Sequence, residues 1–314
     1  MTGDGVSPPP TAAIIGNVNM DVLMWPVDAV PPPGEEWVVE SARVRPGGAA
    51  VNAALTMAGL GVSPRLIGCV GDDGPGQELL SALIRAGVEH EVAVIPGTPT
   101  GVSVAFEAPG RDRSFLIALG SLAHFSTAAI PADAGQAGRL LLCGYFTLPL
   151  LRGGPTVDLL TRAWAAGTPT FLDTGWDPEG WSAAVRAEIA DLLPLVDVFL
   201  PNALEACALT GAGDPYKAAS AIHGRSGGAV IVKLGAAGCL AVDAGGRELR
   251  VPAPAVEVTD ATGAGDALNG ALLAALAEGI PWEEALSFAV RAASTVAARP
   301  SQTRFPARSE VLPG

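Results

Sequence analysis

The run Asp260-Ala-Thr-Gly-Ala-Gly-Asp266 sets a carboxylate directly behind a turn of residues that have almost no side chain. Gly263, Ala264 and Gly265 let backbone N–H groups converge on a ligand without steric cost. The segment that follows, Ala267-Leu-Asn-Gly-Ala-Leu-Leu-Ala-Ala-Leu276, is a strong helix former. A small-residue turn feeding a helix start is an anion site, because unpaired N–H groups and the helix dipole both face outward. A carboxylate is awkward there unless it has chemistry to perform. Asp266 is placed to take a proton from a hydroxyl while that hydroxyl attacks a phosphoryl group held by the same amides. The competing reading is that Asp266 only caps the helix.

Further polar residues recur where apolar runs end. Ala12-Ala-Ile-Ile-Gly16 is followed by Asn19 and Asp21, which can hydrogen-bond vicinal hydroxyls of a sugar-like ligand or form an Asx-rich turn. Gly47-Gly48 opens a helix that carries Asn52, either for close backbone approach to a ligand or for tight helix–sheet packing. Leu172 leads into Asp173 and then Asp177, candidates for contact with a ligand or for a turn. Asn202 and Glu205 share a face on a helical first turn, where they either hold a hydrated Mg²⁺ or cap one another. Lys233-Leu-Gly-Ala-Ala-Gly238, with Gly235 and Gly238, can lie against a purine or a phosphate. Ligands of open α/β sheets bind beyond the carboxyl ends of the strands, and these endings fall there together.

The elements that position them alternate. Strand patterns at Arg65–Val70, Leu140–Cys143, Pro169–Asp173, Val196–Leu200 and Ala229–Leu234 are separated by helical stretches, which predicts a mostly parallel sheet covered by helices. Cys239–Asp243 and Glu248–Val251 read as a hairpin near the sheet edge, and helices are expected at about 264–277 and 282–298. Two patches, about 20–45 and 91–118, show the alternation of exposed strands: Glu35–Val44 in the first, Val102–Phe106 and Ser114–Ala118 around a Pro-Gly-Arg-Asp turn in the second. They predict a small β subdomain inserted into one main domain at 12–314, after a disordered tail at 1–11.

Composition narrows the function classes. The chain has 314 residues, of which 49% are hydrophobic, so a globular α/β protein is expected. A net charge of −13, from 19 basic and 32 acidic residues, argues against a nucleic-acid or anionic-membrane footprint. Apolar windows at 46–64 and 114–132 are interrupted by Gly, Asn and Pro, and the start lacks the features of a signal peptide. Cys69, Cys143, Cys207 and Cys239 stand singly, which suits buried thiols in a reducing cytoplasm. His90, His124 and His223 show no zinc spacing.

On the glycine-pair helix Gly47-Gly-Ala-Ala-Val-Asn52 and the segment Asp260–Asp266, the chain resembles the ribokinase-like, or PfkB-type, family of carbohydrate kinases from about Ala12 to Pro306. The resemblance implies a three-layer sandwich with a mostly parallel central sheet between helices, and an inserted β lid through which two copies pair as a homodimer. It implies transfer of the γ-phosphoryl group of ATP, with Mg²⁺, to a primary hydroxyl of a sugar or sugar derivative. Asp266 becomes the general base, and the amides of Gly263, Ala264 and Gly265 the anion hole. Asn202 and Glu205 match the element that holds the metal–phosphate water network, and Lys233 to Gly238 the nucleotide loop. Asn19, Asp21, Gly47, Gly48 and Asn52 match sugar-binding positions. Asp260 matches one anchor of a monovalent-cation site for K⁺, while Ala298–Pro306 departs from the rest of that loop. Cys143-Gly-Tyr-Phe-Thr stands where ribokinase proper has a sugar-contacting glutamate.

Within that family a nucleoside is the alternative acceptor, with Tyr145, Phe146, Trp25 or Trp37 stacking on the base or simply packing in the core or lid. A catalytically silent sugar-binding relative is disfavoured by the intact Asp266 turn. A nicotinamide dehydrogenase is disfavoured because no Gly-x-Gly-x-x-Gly follows the first strand.

Overall fold

The computed structural model describes residues 11–108 and 113–313. The tail up to Pro10 and the Pro-Gly-Arg-Asp turn at 109–112 lie outside the described residues.

The apolar runs read from sequence assemble into a nine-stranded sheet. Its strands are β1 (Ala12–Gly16), β4 (Pro64–Gly71), β5 (Glu89–Ile95), β8 (Leu140–Cys143), β9 (Thr170–Asp173), β10 (Val198–Phe199), β11 (Ala229–Lys233), β12 (Cys239–Val242) and β13 (Glu248–Val251). The order is β13-β12-β11-β10-β9-β8-β1-β4-β5, parallel from β5 to β11 and closed at the other edge by the antiparallel β12–β13 hairpin.

Because successive strand residues face opposite ways, each strand feeds two cores. Ile14, Leu66, Leu141 and Ile231 pack under α1 (Ala49–Gly59), α2 (Gly74–Arg85), α7 (Ala264–Ala277) and α8 (Trp282–Ala298). Ile15, Ile67, Leu142 and Val230 pack under α3 (Gly154–Ala165), α4 (Ala183–Leu192), α5 (Ala203–Thr210) and α6 (Pro215–Ser226). The result is the helix–sheet–helix layering of an α/β fold. A Cβ on Gly270 of α7 would stand 2.3 Å from the Ala53 carbonyl of α1. That close approach brings the first turns of α1 and α7 together.

A second sheet of four strands contains β2 (Asn19–Trp25), β3 (Ser41–Gly47), β6 (Gly101–Phe106) and β7 (Ser114–Ala118), in the order β3-β2-β6-β7. The chain passes from β1 into β2 across only Asn17 and Val18, so Asn19 and Asp21 sit on a strand of the second sheet and not in an Asx turn. Two expectations are corrected here. Glu35–Glu40 forms no strand; pairing with β2 begins only at Ser41. Glu91–Ile95 belongs to β5 at the edge of the large sheet, so from the later patch the second sheet takes Gly101–Phe106 and Ser114–Ala118. No helix among the described residues is long and apolar enough to cross a membrane.

Candidate active site

The large sheet changes direction between β1, which pairs with β4 on one side, and β8 on the other. Such a switch point opens a crevice at the carboxyl ends of the strands. Most of the sequence-expected residues meet in a network on this side.

The turn before α7 is the centre. Gly263 is the N-cap of α7 at φ 77°, a left-handed conformation, and no side chain caps the helix. The reading of Asp266 as a simple cap therefore fails: its Oδ2 accepts from Asn52 Nδ2 on α1 at 2.9 Å. A Cβ on Gly263 would lie 2.6 Å from that same Asn52 nitrogen, so the position requires glycine on both grounds. The N–H groups of Gly263, Gly265 and Asp266 have no acceptor among the described residues, as expected at a helix start. Ala264 is different. Its N–H closes the turn onto the Ala261 carbonyl at 3.1 Å, so Asp266's own amide replaces it in the outward-facing set.

Asp266 is half-buried, and its carboxyl is raised above the ordinary carboxylate range by burial and by the neighbouring charge of Asp173, against the pull of Lys233 and Asn52. Asn52 is buried, and its Oδ1 has no donor among the described residues. A buried acceptor left open beside a carboxylate is a place for a ligand hydroxyl.

Asp21 lies on the other wall. Its carboxylate packs on Gly47, where a Cβ would come within 2.1 Å of its Cγ, and accepts from Asn19 Nδ2 at 2.8 Å. Gly48 holds φ 97°, and a Cβ there would collide with the Asn17 carbonyl at 2.3 Å and Asn19 Oδ1 at 2.8 Å. Burial raises the Asp21 carboxyl to about 6 despite Arg45 beside it. Asn17, which the sequence reading left aside, accepts from Ala49 N at 3.1 Å and donates to Asn19 at 3.1 Å, fixing the start of α1 against β2.

Asp173 does not have the free carboxylate expected of a substrate contact. Its Oδ2 accepts from Lys233 Nζ and from Asn269 Nδ2, each at 2.6 Å, and its Oδ1 accepts from Gly175 N at 3.2 Å. Lys233 is correspondingly no solvated lysine. Burial lowers its ammonium, but Asp173 and Glu205 outweigh burial and the net shift is upward. A Cβ on Gly265 would lie 3.7 Å from Lys233 Nζ, so this charge stands against the α7 turn. Asn269, one turn beyond Asp266, was missed; a lone amide in the apolar run Ala267–Leu276 was the available signal. Asp177 is fully buried and accepts from the N–H groups of Glu179 and Trp181, as a turn residue does.

Asn202 and Glu205 form a reciprocal capping box on α5: Glu205 N donates to Asn202 Oδ1 at 2.9 Å, and Asn202 N and Nδ2 donate to the two Glu205 oxygens at 2.8 Å. Burial, with Asp173 close by, raises the Glu205 carboxyl to about 7. Gly235 and Gly238 bound a single 3₁₀ turn at φ 58° and 88°. Gly238 is required by packing, since a Cβ would meet the Val251 carbonyl at 2.0 Å.

Asp260 is not open to a monovalent ion. Arg45 Nη1 donates to its Oδ2 at 2.5 Å and Ser301 Oγ at 3.0 Å, while Thr262 N donates to its Oδ1 at 2.9 Å. Tyr145 and Phe146 are also corrected: both are buried in the core beside Trp181, and Tyr145 OH bonds Glu188. Neither is available to stack on a base.

Comparison with known proteins covers nearly the whole chain. The family model described as pfkB family carbohydrate kinase matches residues 10–308. Ribokinase of Haemophilus influenzae is 28% identical over 96% of this chain and 97% of its own length. Cytidine kinase of Thermococcus kodakarensis is 27% identical over 90% of this chain and 94% of its own. The structure of Arabidopsis thaliana ribokinase complexed with ribose and ATP superposes with a TM-score of 0.79 at 26% identity, covering 97% of this chain and 98% of that one.

Proposed function

From the premise that the chain belongs to the pfkB family of carbohydrate kinases, we propose that it transfers the γ-phosphoryl group of ATP to a primary hydroxyl of a sugar or sugar derivative, with Asp266 as general base. The observation that carries this reading is the Asn52–Asp266 pair beside the unpaired amides of Gly263, Gly265 and Asp266. Asn52 aims the carboxylate, and its open Oδ1 helps seat the acceptor hydroxyl. Asn19 and Asp21 hold neighbouring hydroxyls, with Gly47 and Gly48 allowing the sugar to approach the backbone. The amides and Lys233 stabilise charge on the moving phosphoryl group. Asp173 and Asn269 hold Lys233 in place.

ATP fits the turn at Gly235–Gly238 and the outward amides of α7. Mg²⁺ fits the donor set as well: the charge of Asp173 raises the carboxyls of Glu205 and Asp266, and Lys233 is the cation paired with Asp173, at 2.6 Å. Among the described residues no three acids or histidines form a ready metal cage, so a hydrated ion held through Asn202 and Glu205 is the form that suits them. When bound, the ion neutralises phosphate charge.

A nucleoside acceptor is the second reading. In the four-stranded sheet, Ser103 pairs with both Asp21 and Ile117, and Ala105 with both Leu23 and Phe115, so Phe115 and Ile117 share the Asp21 face. Both are about half exposed, an apolar wall suited to a base. On the opposite face Val44, Val22, Val104 and Leu116 are register neighbours, and Val44 and Leu116 are exposed, which supports a homodimer through this sheet.

An ADP-release assay over sugars, sugar phosphates, keto-deoxy acids and nucleosides tests the proposal. Turnover with a primary alcohol is expected; ATP binding without turnover on any of these would refute it in favour of a silent binder.

A further inference from the structure

Arginines lock the second sheet to the loop that opens α7. Arg45, on β3 opposite Asp21, donates through Nη1 to Asp260 Oδ2 at 2.5 Å and to Ser301 Oγ at 2.8 Å. Its Nη2 lies 3.5 Å from the Thr262 carbonyl. Arg304 is only 2% exposed; one of its N–H groups bonds the same Thr262 carbonyl, and Nη1 lies 3.8 Å from Asp260 Oδ2. The Asp260 carboxylate and the Thr262 carbonyl, an anionic and a neutral oxygen two residues apart, therefore both face guanidinium groups.

The family resemblance makes Asp260 an anchor for K⁺, and the residues present do not fit that ion. Each Asp260 oxygen already accepts from N–H or O–H groups, and the nearest charges are positive. A cation entering this spot would meet like charge in a buried setting, where repulsion is weakly screened. The segment that carries Ser301 and Arg304 is also the one that departs from the family's cation loop.

We propose that Arg45 and Arg304 are positioning residues that stand in for a monovalent cation beneath the anion-binding turn, so that phosphotransfer by this chain runs without K⁺. The Arg304 guanidinium also lies over the Phe305 ring, 5.3 Å from its centroid. Its Nε and Nη1 are buried without a hydrogen-bond partner among the described residues, which costs stability. Its charge acts on Asp260, Asp266 and Asp21 together. Burial lowers the guanidinium only to about 10, so it stays charged at neutral pH. Since Arg45 arrives on β3, seating of the second sheet and the charge under Gly263 come as one unit.

The inference rests on the phosphotransfer reading, but its first test does not. Melting of the apo protein is followed at constant ionic strength in KCl against tetramethylammonium chloride. Equal melting temperatures are expected, and a rise specific to K⁺ would overturn the inference whatever the protein catalyses. In the turnover assay, rates in the two salts should agree within about twofold; a clear K⁺ requirement overturns it.

Arg304→Met and Arg45→Met then separate charge from packing. In a variant that melts cooperatively, turnover should fall, and guanidinium ion or K⁺ should restore it by at least about tenfold. Undiminished turnover, or a loss that neither ion repairs, contradicts the assignment. Should Arg304→Met not fold, Arg304→Gln takes its place, and the wild-type salt comparison decides by itself.

Discussion

The Nδ2 of Asn52 and the Oδ2 of Asp266 lie 2.9 Å apart, joined across 214 positions of sequence. Each residue sits in the first turn of its helix, α1 and α7, and the close packing of Gly270 on Ala53 sets those helices at the distance that makes the contact. A hydrogen bond to a charged group contributes about 1.5–3 kcal/mol. Asn52→Ala should therefore lower kcat by roughly 10- to 100-fold. The same bond lowers the Asp266 carboxyl, so its loss should move the acid limb of the rate profile to higher pH. A pH profile that shifts the other way, or not at all, removes Asn52 from this role.

Gly263→Ala forces a side chain into φ 77° and toward Asn52 Nδ2. Left-handed backbone costs about 1–2 kcal/mol for a residue with a Cβ, so the melting temperature should drop. Displacement of Asn52 should lower turnover by more than the loss of folded protein explains. Calorimetry and kinetics on the same sample separate the two effects.

Asp21 is protonated more readily in the folded protein than in the unfolded chain, at about 6 against 3.8. As pH falls through about 6 it ceases to accept two hydroxyl hydrogens, so KM for the acceptor should rise while ATP affinity changes little. The sign for stability is the reverse. Asp21 favours the folded state at low pH, and that contribution is lost as pH rises through about 6. Asp260, held at about 2, stabilises the fold above about 4 and loses that effect as pH falls toward 2; burial alone would raise it, but Arg45 and Arg304 outweigh burial. Asp21→Asn should erase the acidic rise in KM; persistence of that rise would assign it elsewhere.

Lys233 and Asp173 form a buried pair at 2.6 Å. Removing only the cation leaves an uncompensated carboxylate, and Lys233→Met should cost about 3–5 kcal/mol of stability. The double variant Lys233→Met, Asp173→Leu should recover part of that loss. Denaturant melts of the three variants form the cycle, and strict additivity would mean that the pair is not coupled.

The local features were legible in the sequence. The α7 turn is contiguous, so Gly263, Gly265 and Asp266 could be read together, and alternating apolar runs gave the order of strands and helices. Contacts set by sheet exchange were not legible. Nothing in Gly16-Asn-Val-Asn says that the chain changes sheets after two residues, which puts Asn19 and Asp21 on β2. Cross-strand register alone places Arg45 opposite Asp21, and long-range folding alone brings Arg304 to Thr262. Asp173 looked like a ligand because its internal partners, Lys233 and Asn269, are 60 and 96 positions away. The alternation at Glu35–Glu40 mimicked a strand, yet a strand needs a partner and this stretch has none among the described residues.

The most direct test of the whole account is Asp266→Asn, with single-turnover phosphoryl transfer and MgATP affinity measured on the same preparation. A general base contributes about 10²–10⁴-fold, so the rate should fall by that order while ATP still binds and the protein melts as before. Near-normal transfer by this variant would contradict the central claim that the Asp266 carboxylate accepts the proton.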